Sequence, residues 1–192
     1  MLTLKKSHPS LWVVLIILLS ACQAKTDRQV RYEKAADLNI NKPFKLTNIV
    51  DSSGNKIELD FSKSDLTLVD FWNNACPPCI NEMKQFADLL KGKESKISVY
   101  SISLNQFWLW KQTLSDHKGV FSFLDNNISN WKQFNLMTTD DPKLKNGFSF
   151  DRSHELELLY NVKLFPSYFV INKKGLIISS PENAVEFIKD LD

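Results

Sequence analysis

The sequence predicts an α/β fold, a central sheet flanked by helices, on three observations. Residues 66–72 (LTLVDFW) are apolar on both alternating faces, the pattern of a strand buried on both sides. Residues 76–91 then carry Ile80, Met83, Phe86 or Ala87, and Leu90 at helical spacing, with Gly92 just past the end. Residues 96–103 (KISVYSIS) repeat the buried-strand pattern, and strand–helix–strand order argues parallel pairing through a right-handed crossover. With 43% hydrophobic and 24% charged residues, 5 Gly and 7 Pro in 192, the composition excludes disorder and collagen.

In chain order, Lys5, Lys6 and His8 make a basic start, residues 11–19 are continuously apolar, and Ser20 and Ala21 are small. Residues 1–21 therefore read as a secretory signal, too short to span a bilayer comfortably. Residues 22–39 are charged without a sustained apolar period and read as a tether or frayed helix, roughly 60 Å long if fully extended. A single folded domain is expected over 40–192. It opens with two strand-like runs, 44–50 and 56–61, around Asp51-Ser52-Ser53-Gly54-Asn55, where Gly and Asn supply the positive φ of a hairpin turn. After the strand at 96–103 come a helix over 105–117 and a short strand over 120–124. The pattern then weakens over 125–152, where Asn, Asp and Ser interleave with Trp131, Phe134, Phe148 and Phe150, so about 104–152 is read as an insertion. A helix over 153–160 capped by Ser153, a hairpin of 167–171 and 176–179 across Asn172-Lys173-Lys174-Gly175, and a final helix over 181–191 complete the chain.

Leu19-Ser20-Ala21-Cys22 resembles the lipobox of bacterial lipoproteins. That resemblance implies that Cys22 is diacylated and becomes the new N-terminus, a lipid anchor holding the protein in the cell envelope on the periplasmic or extracytoplasmic side. Gln23 stands where an Asp resembles an inner-membrane retention signal, which leans toward an outer membrane where one exists. Loss of Lys5 and Lys6 takes the 24 basic residues to 22, against 22 acidic, and that balance excludes nucleic acid as a partner. With Cys22 lipidated, Cys76 and Cys79 remain and can pair only with each other. Closing so short a loop removes little chain entropy, so the pair points to chemistry rather than to stapling.

Cys76-Pro77-Pro78-Cys79 sits where a buried strand gives way to a helix. The first sulfur there meets the positive end of the macrodipole and unpaired N–H groups, which stabilise a thiolate. Pro77 and Pro78 fall in the first turn, where a missing N–H costs nothing, and stiffen the loop. A zinc site would need His117 and His154, which lack finger-like spacing, and Ile80 in place of His excludes a c-type haem. Asp70, six residues before Cys76 in a strand apolar on both faces, should be desolvated with a raised pKa, the alternative being a strand-end Asp turned to solvent.

Val69-Asp70-Phe71-Trp72 followed by Cys76-x-x-Cys79 resembles the thioredoxin-like family. The lipobox, the preceding hairpin, C-P-P-C followed by Glu82-Met83, and the tail Tyr160-x-Val162-x-x-x-Pro166-x-x-Phe169-Val170-Ile171-x-x-x-Gly175-x-Ile177 resemble the membrane-tethered TlpA/ResA-type thiol-disulfide oxidoreductases. The resemblance covers about 40–192 and is weakest over 104–152. It implies a thioredoxin-like fold: a central mixed sheet flanked by helices, an N-terminal β-hairpin extension, and an insertion before a cis-Pro segment. It further implies that Cys76 attacks a substrate disulfide, that Cys79 resolves the mixed intermediate, and that Asp70 accepts the Cys79 proton, directly or through water.

Ordinary X-Pro statistics predict a trans bond at Pro166, whereas the resemblance implies cis, with the proline against the dithiol and the Phe165 backbone binding substrate as an added strand. Trp72, Pro77 and Pro78 complete the implied substrate surface. The redox-active Cys76–Cys79 disulfide would serve without a metal or other cofactor. The implied partners are protein thiols and disulfides, and a membrane electron donor for re-reduction, with the chain acting as a monomer. Three positions depart from the family pattern: Ala75 replaces a Trp, Lys84 replaces a Pro, and Phe165 replaces a Thr or Val.

The direction of electron flow stays open between a reductase and an oxidase or isomerase. A peroxiredoxin-type peroxidase needs Pro and Thr or Ser just before its Cys, and residues 71–75 provide neither. Sco-type copper carriers space their Cys by three residues rather than two. A binding lipoprotein using the aromatic insertion is the reading from another class. Phe107, Trp108, Trp110 and Trp131 are read as core rather than as a ligand groove, and His154, Glu155 and Glu157 as a charged helix face.

Overall fold

The computed structural model describes residues 38–125, 128–137 and 151–191. The signal over 1–21, the lipidation site Cys22, nearly all of the tether, and Phe148 and Phe150 lie outside the described residues.

Strands β1 (Ile49–Val50), β2 (Leu66–Trp72), β3 (Ile97–Ser103), β4 (Trp131–Leu136), β5 (Ser167–Asn172) and β6 (Ile177–Ser179) form one sheet of order β1-β4-β3-β2-β5-β6. The β2–β3 and β3–β4 pairs are parallel, and β1–β4, β2–β5 and β5–β6 are antiparallel, so the sheet is mixed. Helix α1 (Pro77–Leu89) connects β2 to β3, and α2 (Phe107–Leu114) follows β3. Helix α3 (Asp151–Tyr160) precedes β5, and α4 (Ala184–Lys189) ends the fold.

The double-faced apolar pattern of β2 is explained by a core on each side of it. Leu68 and Trp72 join Cys79, Met83, Phe86, Leu90, Trp131, Tyr168 and α4 residues Val185 and Ile188 on one face. Val69 and Phe71 join Ile102, Leu156, Tyr160, Phe169 and Phe44 on the other. Phe86 meets Trp131 edge-on at 5.6 Å between centroids. Fully burying one such ring contributes about 1.5–3 kcal/mol, so α1 is fastened to the sheet mainly by its apolar stripe. Trp110 and Trp131 are buried as core, while Trp108 is 62% exposed.

Five local expectations are corrected or narrowed. The expected N-terminal hairpin keeps its turn but not its ladder: Val50 and Lys56 form one isolated bridge, and Ile57 N–H donates to Ile49 O at 3.0 Å. The first arm pairs instead with β4, and Ile57, Leu59 and Phe61 cover the Val69 face. Gly54 alone in that turn has positive φ (87°), whereas Asn55 donates to the Asp51 carboxylate. The expected strand at 120–124 is a turn leading into a 3-10 helix (Ser122–Asp125), whose Phe123 packs with Phe121 against the α1-side core.

The strand that does pair with β3 is β4, inside the expected insertion. Its polar Gln133 and Asn135 hid it. Ser153, expected as a cap, lies inside α3, which begins at Asp151, a residue equally suited to a helix start.

Candidate active site

β2 ends at Trp72, and the loop at 73–75 leads directly into α1. Two asparagines fix that loop. Asn74 N–H donates to Asn105 Oδ1 at 3.0 Å, and Asn105 Nδ2 donates back to Asn74 Oδ1 at 2.7 Å. Asn105 is anchored in turn by Asn135 of β4, whose Nδ2 donates to Asn105 O at 2.9 Å and to Ser103 O at 3.1 Å. The Cys76 N–H then donates to Asn73 O at 3.1 Å, so Cys76 enters the helix from a loop whose polar groups are satisfied.

Cys76 is the N-cap of α1, with Pro77 and Pro78 in the first two helical positions. Cys76 and Cys79 form a disulfide, Cα to Cα 5.3 Å. The Cys79 N–H points at Cys76 Sγ at 3.3 Å, and no acidic residue occupies the first turn to oppose a thiolate there. Cys76 is 7% exposed and Cys79 fully buried, so the first cysteine is the more accessible of the two.

Asp70 is fully buried, which settles the sequence alternative of a solvent-facing carboxylate. In register it lies between Ser101 of β3 and Tyr168 of β5, on the α1 side of the sheet with Trp72 and the dithiol. Ser101 Oγ donates to Asp70 Oδ2 at 3.0 Å, while Oδ1 has no hydrogen-bond partner among the described residues. Burial pushes the Asp70 pKa up to about 8, the Ser101 hydrogen bond working against the rise and the Glu82 charge adding to it.

The Phe165–Pro166 bond is cis. Ser167 pairs with Phe71, so Pro166 stands at the start of β5 beside the end of β2 from which the Cys76 loop departs. Of the remaining sequence-predicted contacts, Pro77 and Pro78 are exposed and Phe165 is partly buried. Pro166 and Trp72 are buried, Trp72 lying beneath the surface with Phe121 at 6.2 Å between centroids.

Sequence reasoning gave no role to Glu82. Its Oε2 accepts from Tyr168 O–H at 2.9 Å and from Ala184 N–H at 3.1 Å, tying α1 to β5 and to the start of α4. The signal was available, since Glu82 stands three residues after Cys79 and so on the same helix face. Among the described residues no group of three or more His, Cys, Asp or Glu could hold a metal ion, and no helix is long and apolar enough to cross a membrane.

The sequence profile of the AhpC/TSA family matches residues 34–180, most of the chain. A thiol-disulfide oxidoreductase ResA of Bacillus cereus is 24% identical over 196 aligned residues, covering 98% of this chain and 99% of that protein. Among solved structures, a thiol:disulfide interchange protein from a Bacteroides species superposes with a TM-score of 0.57 at 19% identity, over 79% of this chain and 87% of that one. A peroxiredoxin-like protein from Aquifex aeolicus gives 0.51 at 16% identity, over 80% of this chain and 87% of that one. At these identities the structures establish a shared thioredoxin-like fold.

Proposed function

The chain belongs to the AhpC/TSA family, and from that premise we propose that it reduces protein disulfides outside the cytoplasm while tethered by lipid at Cys22. Its Cys76–Cys79 disulfide in a thioredoxin-like fold makes it a thiol-disulfide oxidoreductase. The single observation that carries the catalytic assignment is the asymmetry of the pair: Cys76 at the helix start and 7% exposed, Cys79 within the helix and fully buried.

Reduced Cys76, as thiolate, attacks one sulfur of a substrate disulfide and forms a mixed disulfide, releasing the substrate's other thiolate. Cys79 gives its proton to Asp70 and attacks Cys76 Sγ. The Cys76–substrate bond breaks, the Cys76–Cys79 bond forms, and the substrate leaves as a second thiolate carrying the electron pair. Pro77, Pro78, Phe165 and Pro166 form the substrate face, the Phe165 backbone receiving an extended segment, and Trp72 supports that face from below. A membrane electron donor re-reduces the pair, and the protein works as a monomer.

The lipobox and the preceding signal support the location, and the buried Asp70 supports the reducing cycle. A peroxidase reading has no support in residues 71–75, which hold neither the Pro nor the Thr or Ser such a site uses. The test is trapping. Cys79→Ser, reduced and mixed with an insulin-type protein disulfide, should accumulate a covalent adduct that dithiothreitol releases, and Cys76→Ser should not. An adduct with Cys76→Ser alone would reverse the two roles, and none with either variant would sink the reading.

A further inference from the structure

The donors and acceptors around Asp70 assign its proton to one oxygen. Trp131 of β4 carries an indole N–H, which can only donate, and it donates to Ser101 Oγ at 2.9 Å. Ser101 is fully buried, and its Oγ has one further partner, Asp70 Oδ2 at 3.0 Å. In the neutral acid a proton on Oδ2 would turn the Ser101 hydroxyl away and leave two buried groups unpaired, that hydroxyl and Oδ1, whereas a proton on Oδ1 leaves only one, and each unpaired group costs about 1–3 kcal/mol. The hydroxyl proton therefore points at Oδ2 whether or not Asp70 is ionised. An oxygen that accepts in both states is not the one that carries the acid proton.

We propose that Trp131 and Ser101 are positioning residues, a fixed relay of Trp131 Nε1–H to Ser101 Oγ and Ser101 O–H to Asp70 Oδ2 that leaves Oδ1 to take and release the proton. The inference rests on the role proposed above for Asp70 and specifies which atom performs it. In the resolving step the Cys79 proton goes to Oδ1, while the Ser101 bond to Oδ2 holds the carboxylate that receives it. Oδ1 has no protein partner among the described residues, so no fixed hydrogen bond competes there for the proton.

The titratable groups around this site are few. Cys76, Cys79 and Glu82 come from α1, and Tyr168, whose hydroxyl is engaged by Glu82, comes from β5. β3 offers Ser101 and β4 offers Trp131 and Gln133, none of them charged. The relay is therefore the group facing Asp70 that favours its ionised form, whereas Glu82 disfavours it.

The test reads Asp70 itself and then turnover, both on the full chain. The 13C shift of the Asp70 carboxyl carbon is followed against pH in the oxidised protein, where neither thiol titrates. Ser101→Ala should raise the midpoint by about one pH unit, the equivalent of a tenfold change in proton affinity. Trp131→Phe should raise it less, and Ser101→Thr, which keeps the hydroxyl, should restore it. In turnover at pH 7, Ser101→Ala should slow the resolving step several-fold in the Asp70 background and have no effect in Asp70→Asn. A midpoint unmoved by Ser101→Ala overturns the relay. A midpoint that moves while turnover does not keeps the relay and removes Asp70 from the catalytic cycle.

Discussion

Replacing Asp70 by Asn should make the oxidised protein more stable at pH 8 and less stable at pH 4, so that the two stability curves cross. The wild-type carboxyl is fully buried with one hydrogen bond, from Ser101, and its pKa is raised from 3.8 to about 8, chiefly by burial. An acid raised in the folded state is held there as the neutral form, while the unfolded chain gives up the proton near pH 4. Between the two values the unfolded state binds fewer protons, so stability falls as pH rises and levels off above about 8.

Each pH unit in that window costs about 1.4 kcal/mol, which sets a ceiling of about 5 kcal/mol on what Asp70 removes by pH 8. Asn does not ionise, so the slope disappears. Its amide carries two N–H donors where the neutral acid carries one O–H, and the extra buried donor costs about 1–3 kcal/mol. The expected balance is a gain of about 2–4 kcal/mol at pH 8 and a loss of about 1–3 kcal/mol at pH 4. The carboxylates whose pKa is lowered by local hydrogen bonds, Asp51, Asp60 and Asp88, lie outside the core and are identical in both proteins, so they cancel in the difference. Urea unfolding of the oxidised proteins at pH 4 to 9, read by tryptophan fluorescence, measures it. A difference that stays constant from pH 5 to 8 would refute the reasoning.

Three further outcomes are expected. Asn105→Ala breaks the paired amide bonds that hold the loop before Cys76 and should destabilise the protein by about 1–3 kcal/mol in urea unfolding; a loss below a few tenths would mean that the loop holds itself. Phe165→Thr, which trims the ring beside Pro166, should raise kcat/KM for bulky protein disulfides while leaving small linear disulfides unchanged, and equal effects on both would remove Phe165 from substrate selection. Cys22→Ser should move the protein from the membrane to the soluble fraction, and retention in the membrane would contradict the lipid anchor.

The elements legible in the sequence are those whose pattern needs no knowledge of neighbours. β2 and β3 are apolar on both faces because a core lies on each side, and α1 carries its stripe at Ile80, Met83 and Phe86. The dithiol, the buried Asp70 and the cis bond at Pro166 followed from those elements and from family resemblance. β4 escaped because the residues that mark it are polar: Lys132 is exposed, while Asn135 is buried only because its Nδ2 is satisfied by the carbonyls of Ser103 and Asn105. The partners of Asp70 escaped for a related reason. Ser101 and Trp131 lie 31 and 61 residues away, and only the sheet register brings both to its side.

The reduction potential of the Cys76–Cys79 pair, equilibrated against thiol buffers and read by the mass added on alkylation, bears most directly on the proposed direction of electron flow. A tethered reductase requires a value near the roughly −270 mV typical of thioredoxin. A value near the roughly −120 mV of a strong oxidant would contradict it and make the protein a source of disulfides rather than a remover of them.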